Sequence, residues 1–276
     1  MNIDYISDIH EEETLSDKTN ESPEELKFMN KLFMNKNSNI LIISGDLSDK
    51  LHRVVYFLKK IKSLFNYDFI LYIPGNHDLY TERDNLMKTR DKYYKLMESV
   101  NSLNDLGIHF FNGDILEIEG IKFGGTAMWY DGYYYRKVVN ESMDNKKFYF
   151  ELENYAYEYM PDAMSITQTI RKMFLWQLSK LRKVVKEADV VFTHICPIAE
   201  DKFLSPAFKG QVSNGFFSFN GAHFIKNNNN IKVWVYGHIH SPIDIIYEGT
   251  RMLCNPVGYV HERYINDRGV MSFKIN

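Results

Sequence analysis

The sequence predicts an α/β domain built on a largely parallel sheet, and three observations predict it. Apolar runs of four or five residues, such as Ile40-Leu41-Ile42-Ile43, show no polar alternation, as expected of strands buried on both faces. Between these runs apolar residues recur at helical spacing. The resulting strand, helix, strand order is the pattern of a parallel sheet with crossover helices. Right-handed crossovers bring the strand C-termini to one edge, where α/β active sites lie.

Ile3 to Ser7 reads as the first strand. Ser22-Pro23-Glu24-Glu25 reads as a helix start, with Ser as N-cap, Pro in the first turn and Glu at the capping-box position. That helix is expected to run to about Asn35. Ile40 to Ile43 is the second strand and ends at Gly45-Asp46. Leu51, Val54, Val55, Leu58, Ile61 and Phe65 mark the next helix, and Phe69 to Ile73 the third strand. A helix is expected from Asp84 to Leu106, stopped by Gly107. Between Ile108 and Thr126, short strands separated by Gly113 and Gly120 suggest a β-meander. Further on, Leu175 to Lys186 reads as helix, Asp189 to Phe192 and Ile231 to Tyr236 as strands, and Ile243 to Phe273 as a strand-rich tail.

The chain has 276 residues, which suits one large α/β domain spanning 1–276. Its 33 basic and 36 acidic residues are intermixed and leave a net charge of -3, so no basic excess points to extended nucleic acid as partner. Two cysteines, Cys196 and Cys254, provide no disulfide framework, and a reducing compartment is expected. The first strand starts at the N-terminus, which leaves no room for a signal peptide, and no apolar run approaches the ~18 residues of a membrane span. The expected location is cytoplasmic, without a membrane partner.

Five islands of metal-binding residue types follow the predicted strands: Asp8-Ile9-His10, Gly45-Asp46-Leu47-Ser48-Asp49, Gly75-Asn76-His77-Asp78, His194, and Gly237-His238-Ile239-His240. Strands ending at one sheet edge would gather them into one cluster with donors enough for two ions. Each island alone has an ordinary structural reading: a loop cap, a turn glycine or a hydrogen-bonded core histidine. The ordered set favours a metal site, because its strand-end context recurs at every element. Two metals roughly 3.5–4 Å apart can clamp a phosphoryl group and activate water.

In order and without substitution, these islands resemble the signature of calcineurin-like metallophosphoesterases: D-x-H, G-D-x-x-D, G-N-H-D or G-N-H-E, H, and G-H-x-H. The resemblance implies a four-layer α/β/β/α sandwich with mixed sheets and the metal site at strand C-terminal ends. It implies a phosphoesterase with two divalent or mixed-valence ions, Mn, Fe or Zn. Asp8, His10 and His240 would hold metal 1, Asn76, His194 and His238 metal 2, and Asp46 would bridge them. A metal-bridging hydroxide would attack phosphorus, and His77 would protonate the leaving oxygen, with Asp78 orienting its ring. Asp49 reads either as an acceptor that fixes a ligand histidine or as the N-cap of the helix near Lys50. The expected partner is a small phosphomonoester or phosphodiester, nucleotides included. A nuclease on DNA or RNA ends is the alternative, and a scaffold that lost its chemistry is a third reading. Oligomeric state is not encoded in any motif.

His52, His109, His223 and His261 stay with structural readings. His261 has the strongest rival, because it follows Asn255-Pro256-Val257-Gly258-Tyr259, a segment that looks like a family loop at the active-site rim. Cys196 reads as a packed small residue. An aromatic-rich insertion spans about 129–174. It is either a cap over the metals, with Trp129 to Tyr135 as a substrate wall and Asp131 and Arg136 as polar contacts, or ordinary packing; packing is the preferred reading.

Overall fold

The computed structural model describes residues 1–15, 22–81, 87–160, 166–262 and 269–275. Strand β1 (Asn2–Ile6) leads to helix α1 (Pro23–Phe33). Ser22 caps that helix by accepting the Glu25 amide at 3.1 Å. β2 (Ile40–Ser44), α2 (Leu51–Phe65), β3 (Phe69–Ile73), α3 (Thr89–Asn101) and β4 (Ile108–Phe110) follow. The expected helix start at Asp84 lies outside the described residues. The helix also stops short of Leu106. Ser102 turns its hydroxyl back onto the Ser99 carbonyl, and a separate 3-10 turn covers Asn104–Leu106.

The second half holds β5 (Ile115–Ile118), β6 (Ile121–Thr126), α4 (Tyr133–Val139), α5 (Asn145–Tyr159), α6 (Ile170–Val184), β7 (Val190–Thr193), α7 (Ala222–Lys226), β8 (Val233–Tyr236), β9 (Ile243–Tyr247), β10 (Thr250–Cys254) and β11 (Met271–Lys274). Helix α6 starts five residues before the expected Leu175. Thr169 caps it, and Glu153, from α5, accepts the Ile170 amide at 2.7 Å, a partner no local pattern announces.

Two mixed sheets result. One has the order β11-β1-β2-β3-β4, parallel except for β11; the other has β5-β6-β7-β8-β10-β9, with β5 and β9 antiparallel to their neighbours. The expected meander is not one unit. β4 pairs with β3 in the first sheet, whereas β5 and β6 form a hairpin in the second. The chain changes sheets between Phe110 and Ile115.

Strand alternation explains the layering. Ile40, Ile42, Leu71 and Ile73 belong to one buried cluster with Phe123, Phe192, Val233, Val235 and Leu253, which joins the two sheets face to face. Their sequence neighbours Leu41, Ile43, Ile70 and Tyr72 belong instead to the cluster containing Val54, Phe57 and Leu96 of the helices. Unbroken apolar runs are therefore required, and an α/β/β/α sandwich follows. No helix among the described residues is long and apolar enough to cross a membrane. Both cysteines are buried and free.

Candidate active site

The loops after β1, β2 and β3 of one sheet and after β7 and β8 of the other each carry one of the five islands. The backbone there is unusual. Nine non-glycine residues have positive φ among the described residues, and five of them are Asp8, His10, Asp46, His238 and His240. Such conformations cost of order 1–3 kcal/mol each and persist only where surroundings over-determine them. Here a lattice of hydrogen bonds does so. The Asp8 amide donates to the Gly45 carbonyl at 3.0 Å and the His10 amide to the Asp46 carbonyl at 3.1 Å. The His238 amide donates to Asp8 Oδ1 at 2.9 Å. Gly45, at φ 91, lies so close to the third island that a Cβ would stand 2.7 Å from the Gly75 nitrogen.

Within this lattice the candidate ligands converge. His10 Nε2 and His240 Nε2 face each other at 3.2 Å, and Asp8 Oδ1 is 3.5 Å from the latter. Asp46 Oδ2 lies 3.2 Å from His194 Nε2 and 3.8 Å from His10 Nε2, between the two groups. Asn76 Oδ1 is 2.9 Å from His194 Nε2. Donor atoms of Asp8, His10 and His240 lie within 4.8 Å of one another, as do those of Asp46, His194 and His238. The far side of each ring is held: His194 Nδ1 donates to the Ser44 carbonyl at 2.8 Å and His238 Nε2 to the Phe216 carbonyl at 3.0 Å. These bonds leave the other ring nitrogen of each residue facing the cluster, the one that can bind a metal once it gives up its proton. The donor chemistry therefore fits two cations.

Charge is displaced accordingly. Burial works against ionisation of Asp8, but the hydrogen bond and charge of His240 outweigh it and hold the carboxyl at about 2. Burial likewise opposes charge on His194 and His240. Asp46 nevertheless raises His194 to about 9, and Asp8 with Glu262 raises His240 to about 10. Burial, then the charge of His194, pushes His238 down to about 3.

His77 lies beside this cluster. Its amide donates to Asp46 Oδ1 at 2.8 Å, and its Nε2 is 3.0 Å from the Tyr259 hydroxyl. The ring-orienting role expected of Asp78 is not what the geometry gives. Asp78 Oδ2 accepts the amides of Asp46 and Gly75 at 2.9 and 2.7 Å, and Oδ1 those of Leu47 and Ser48 at 3.0 Å each. Its carboxylate is the post around which two motif loops fold, because four converging N–H groups need a buried acceptor. Glu12 lies nearer the role, with Oε1 3.7 Å from His77 Nδ1. The N-cap reading of Asp49 also fails: Lys50 holds that position without a side-chain bond, and Asp49 Oδ1 is buried without a partner.

A model of the calcineurin-like phosphoesterase family matches residues 1–242, most of the chain and all five islands. The chain belongs to that family. An uncharacterized protein of Acanthamoeba polyphaga mimivirus is 27% identical over 243 residues, covering 81% of this chain and 79% of that one. Among solved structures, the phosphopantetheinyl hydrolase of Mycobacterium tuberculosis has a TM-score of 0.72 at 18% identity, covering 100% of this chain and 96% of its own. A Thermus thermophilus protein has a TM-score of 0.54 at 11% identity, covering 100% and 99%. At these identities the two structures share the fold.

In this calcineurin-like phosphoesterase the site also draws on residues that the sequence reading did not single out as ligands or walls. Asn255 to Gly258 runs beside β1's end: the Ser7 amide donates to Asn255, and the amides of Val257 and Gly258 donate to Ser7 and Asp8. That pairing delivers Tyr259 and Glu262, both beyond residue 242, to the cluster. The Tyr259 ring centroid is 4.6 Å from those of both His10 and His240. The exposed His261 ring stacks on Tyr259 at 5.7 Å and does not line the cavity.

That cavity, about 320 Å³, is floored by Asp46, Asn76, His238 and His240 and walled by aromatics including Tyr130, Phe208, Phe216 and Phe217. Of the expected wall from Trp129 to Tyr135, only Tyr130 lines it. Trp129 is 2% exposed in the core. Asp131 and Arg136 serve the fold: Asp131 accepts the amides of Tyr133 and Asn220, and Arg136 binds Asn145 Oδ1 and the carbonyls of Glu141 and Met143.

Proposed function

We propose that this chain is a dinuclear metal-dependent hydrolase of small phosphate esters. One observation carries the reading: two donor clusters meet at a single carboxylate oxygen, Asp46 Oδ2, on the floor of a small cavity. In this reading Asp8, His10 and His240 hold one ion, Asn76, His194 and His238 the other, and Asp46 both. Bound there, Mn, Fe or Zn ions supply Lewis acidity at the phosphoryl oxygens and an activated water at neutral pH. The protein's own groups do the rest. In this reading the His77 backbone amide holds Asp46, and the His77 Nε2, beside the Tyr259 hydroxyl at the cavity wall, gives a proton to the leaving oxygen.

Cavity size and lining support a small ester over a nucleic-acid strand. A volume of about 320 Å³ is at the small end of ligand pockets, and among the described residues no lysine or arginine lines it. A channel for DNA or RNA needs cations along the backbone path. Among the described lining residues positive charge comes only from the metal positions, which suits one phosphoryl group with an aromatic or apolar substituent against the Phe216–Phe217 wall.

The test is the purified chain, loaded with manganese, against nitrophenyl phosphate, bis-nitrophenyl phosphate, nucleotides, a phosphopantetheinyl ester and oligonucleotides. The phosphopantetheinyl ester is included because the structurally similar mycobacterial protein carries that name. Chelator-sensitive turnover of at least one small ester, lost in Asp46→Ala, is the expected result. Turnover confined to oligonucleotides would overturn the substrate class, and no metal-dependent turnover of any ester would overturn the reading.

A further inference from the structure

The two metal positions of the proposed site are built differently one layer out from the ligands. At one position both rings are backed by carboxylates: Glu12 Oε1 lies 3.4 Å from His10 Nδ1, and Glu262 Oε2 lies 2.6 Å from His240 Nδ1. At the other, both rings are backed by neutral main-chain carbonyls, those of Ser44 and Phe216. The direct donors repeat the asymmetry. Asp8 faces the first position, whereas the neutral amide of Asn76 faces the second.

We infer that Glu12 and Glu262 are positioning residues that make the Asp8–His10–His240 position the tighter of the two. The inference rests on the dinuclear reading above. A carboxylate that accepts the Nδ1 proton of an imidazole fixes the ring and makes Nε2 more basic, and removing such a partner typically costs about 10- to 100-fold in metal affinity. It also adds negative charge close to the cation, which a carbonyl does not.

Both carboxylates are held for this work. Glu262 Oε2 also accepts the Tyr259 amide at 2.9 Å, so the loop that covers the site sets the carboxylate in place. It lies beyond the segment that matches the family, so its contribution belongs to this chain's C-terminal part. Glu12 reaches two rings, His10 at 3.4 Å and His77 at 3.7 Å.

Donor atoms of His10, Glu12 and His77 also lie within 4.8 Å of one another and resemble a third metal cluster. The orientation of His10 argues against one. Its Nε2 already faces His240 and Asp46, so an ion at Nδ1 would require an imidazole stripped of both protons. Support of the first position is the role that leaves His10 a neutral ligand.

The test is calorimetric titration of metal-stripped protein with Mn²⁺ alone, with manganese content measured independently. The wild-type chain is expected to bind two ions with clearly separated affinities. Glu262→Gln and Glu12→Gln should each weaken the tighter event by about 10- to 100-fold and leave the weaker one in place. His238→Ala should remove the weaker event and spare the tighter, which assigns them. Because the carboxylates come from separate loops, either glutamine variant alone decides.

Two equal events in the wild type would overturn the inference. So would glutamine variants that weaken the second event, or neither. Unequal binding without ester hydrolysis would support it while removing the enzymatic reading. Equal binding with hydrolysis would do the reverse.

Discussion

Replacing Asp78 by asparagine separates two roles that a G-N-H-D motif allows. In the structure the carboxylate accepts four buried amides, two on each oxygen. Asparagine keeps one acceptor oxygen and turns the other into a donor. Whichever way the amide flips, two backbone N–H groups lose their acceptor and meet an N–H group instead. An unsatisfied buried donor costs ~1–3 kcal/mol, so the variant should lose ~2–6 kcal/mol of stability. That is a large share of a typical ~5–15 kcal/mol. One of the orphaned pairs includes the Asp46 amide or those of Leu47 and Ser48, so the loop bearing Asp46 should shift and metal occupancy should fall with it.

Urea unfolding measures the first loss and elemental analysis of metal-reconstituted protein the second. Turnover should drop by a similar factor for good and poor leaving groups. A variant with wild-type stability and metal content, slowed only on esters with poor leaving groups, would refute this reasoning and return Asp78 to orienting His77.

Four further outcomes follow from the same geometry. His194 and His240, raised from the ordinary 6.5 to about 9 and about 10, carry protons in the metal-free protein at neutral pH. Metal binding at pH 7 should therefore release about two protons, measurable by calorimetry in buffers of different ionisation enthalpy. Because both values are raised, these groups stabilise the metal-free fold fully below pH 6.5, and that contribution should fade as pH rises to about 10. Urea midpoints that instead rise across this window would contradict the assignment. At the cavity wall, Tyr130→Ala should raise KM for aromatic esters selectively. Losing one ring contact of ~1.5–3 kcal/mol corresponds to roughly 10- to 150-fold. Trp129→Ala should instead cost ~3–5 kcal/mol of stability, with no selectivity among substrates. The opposite pairing of effects would place the wrong ring in the wall.

Much of the fold was legible in the sequence because its signals are local. Ser22-Pro23-Glu24-Glu25 announces a helix start in four residues, and Ile40 to Ile43 announces a strand buried on both faces. The five islands likewise each follow a strand run in the sequence, although β1 to β3 belong to one sheet and β7 and β8 to the other, so only the packing of the two sheets brings their ends together. By itself the sequence thus determined the family and the residues that converge. It did not determine what surrounds them. Helix α6 starts at Ile170 because Glu153 from another helix accepts its first amide. Asp78 binds amides from residues about 30 positions earlier, and Glu262 reaches His240 because Asn255 to Gly258 pairs with the end of β1. Tyr130 lines the cavity beside Phe216 and His238, while its neighbour Trp129 is buried in the core. Each of these depends on contacts between segments far apart in the chain. Hydrophobic period and turn chemistry report only on neighbours, so the supporting carboxylates, the cavity wall and the left-handed backbone at five of the candidate ligands were decided by tertiary structure alone.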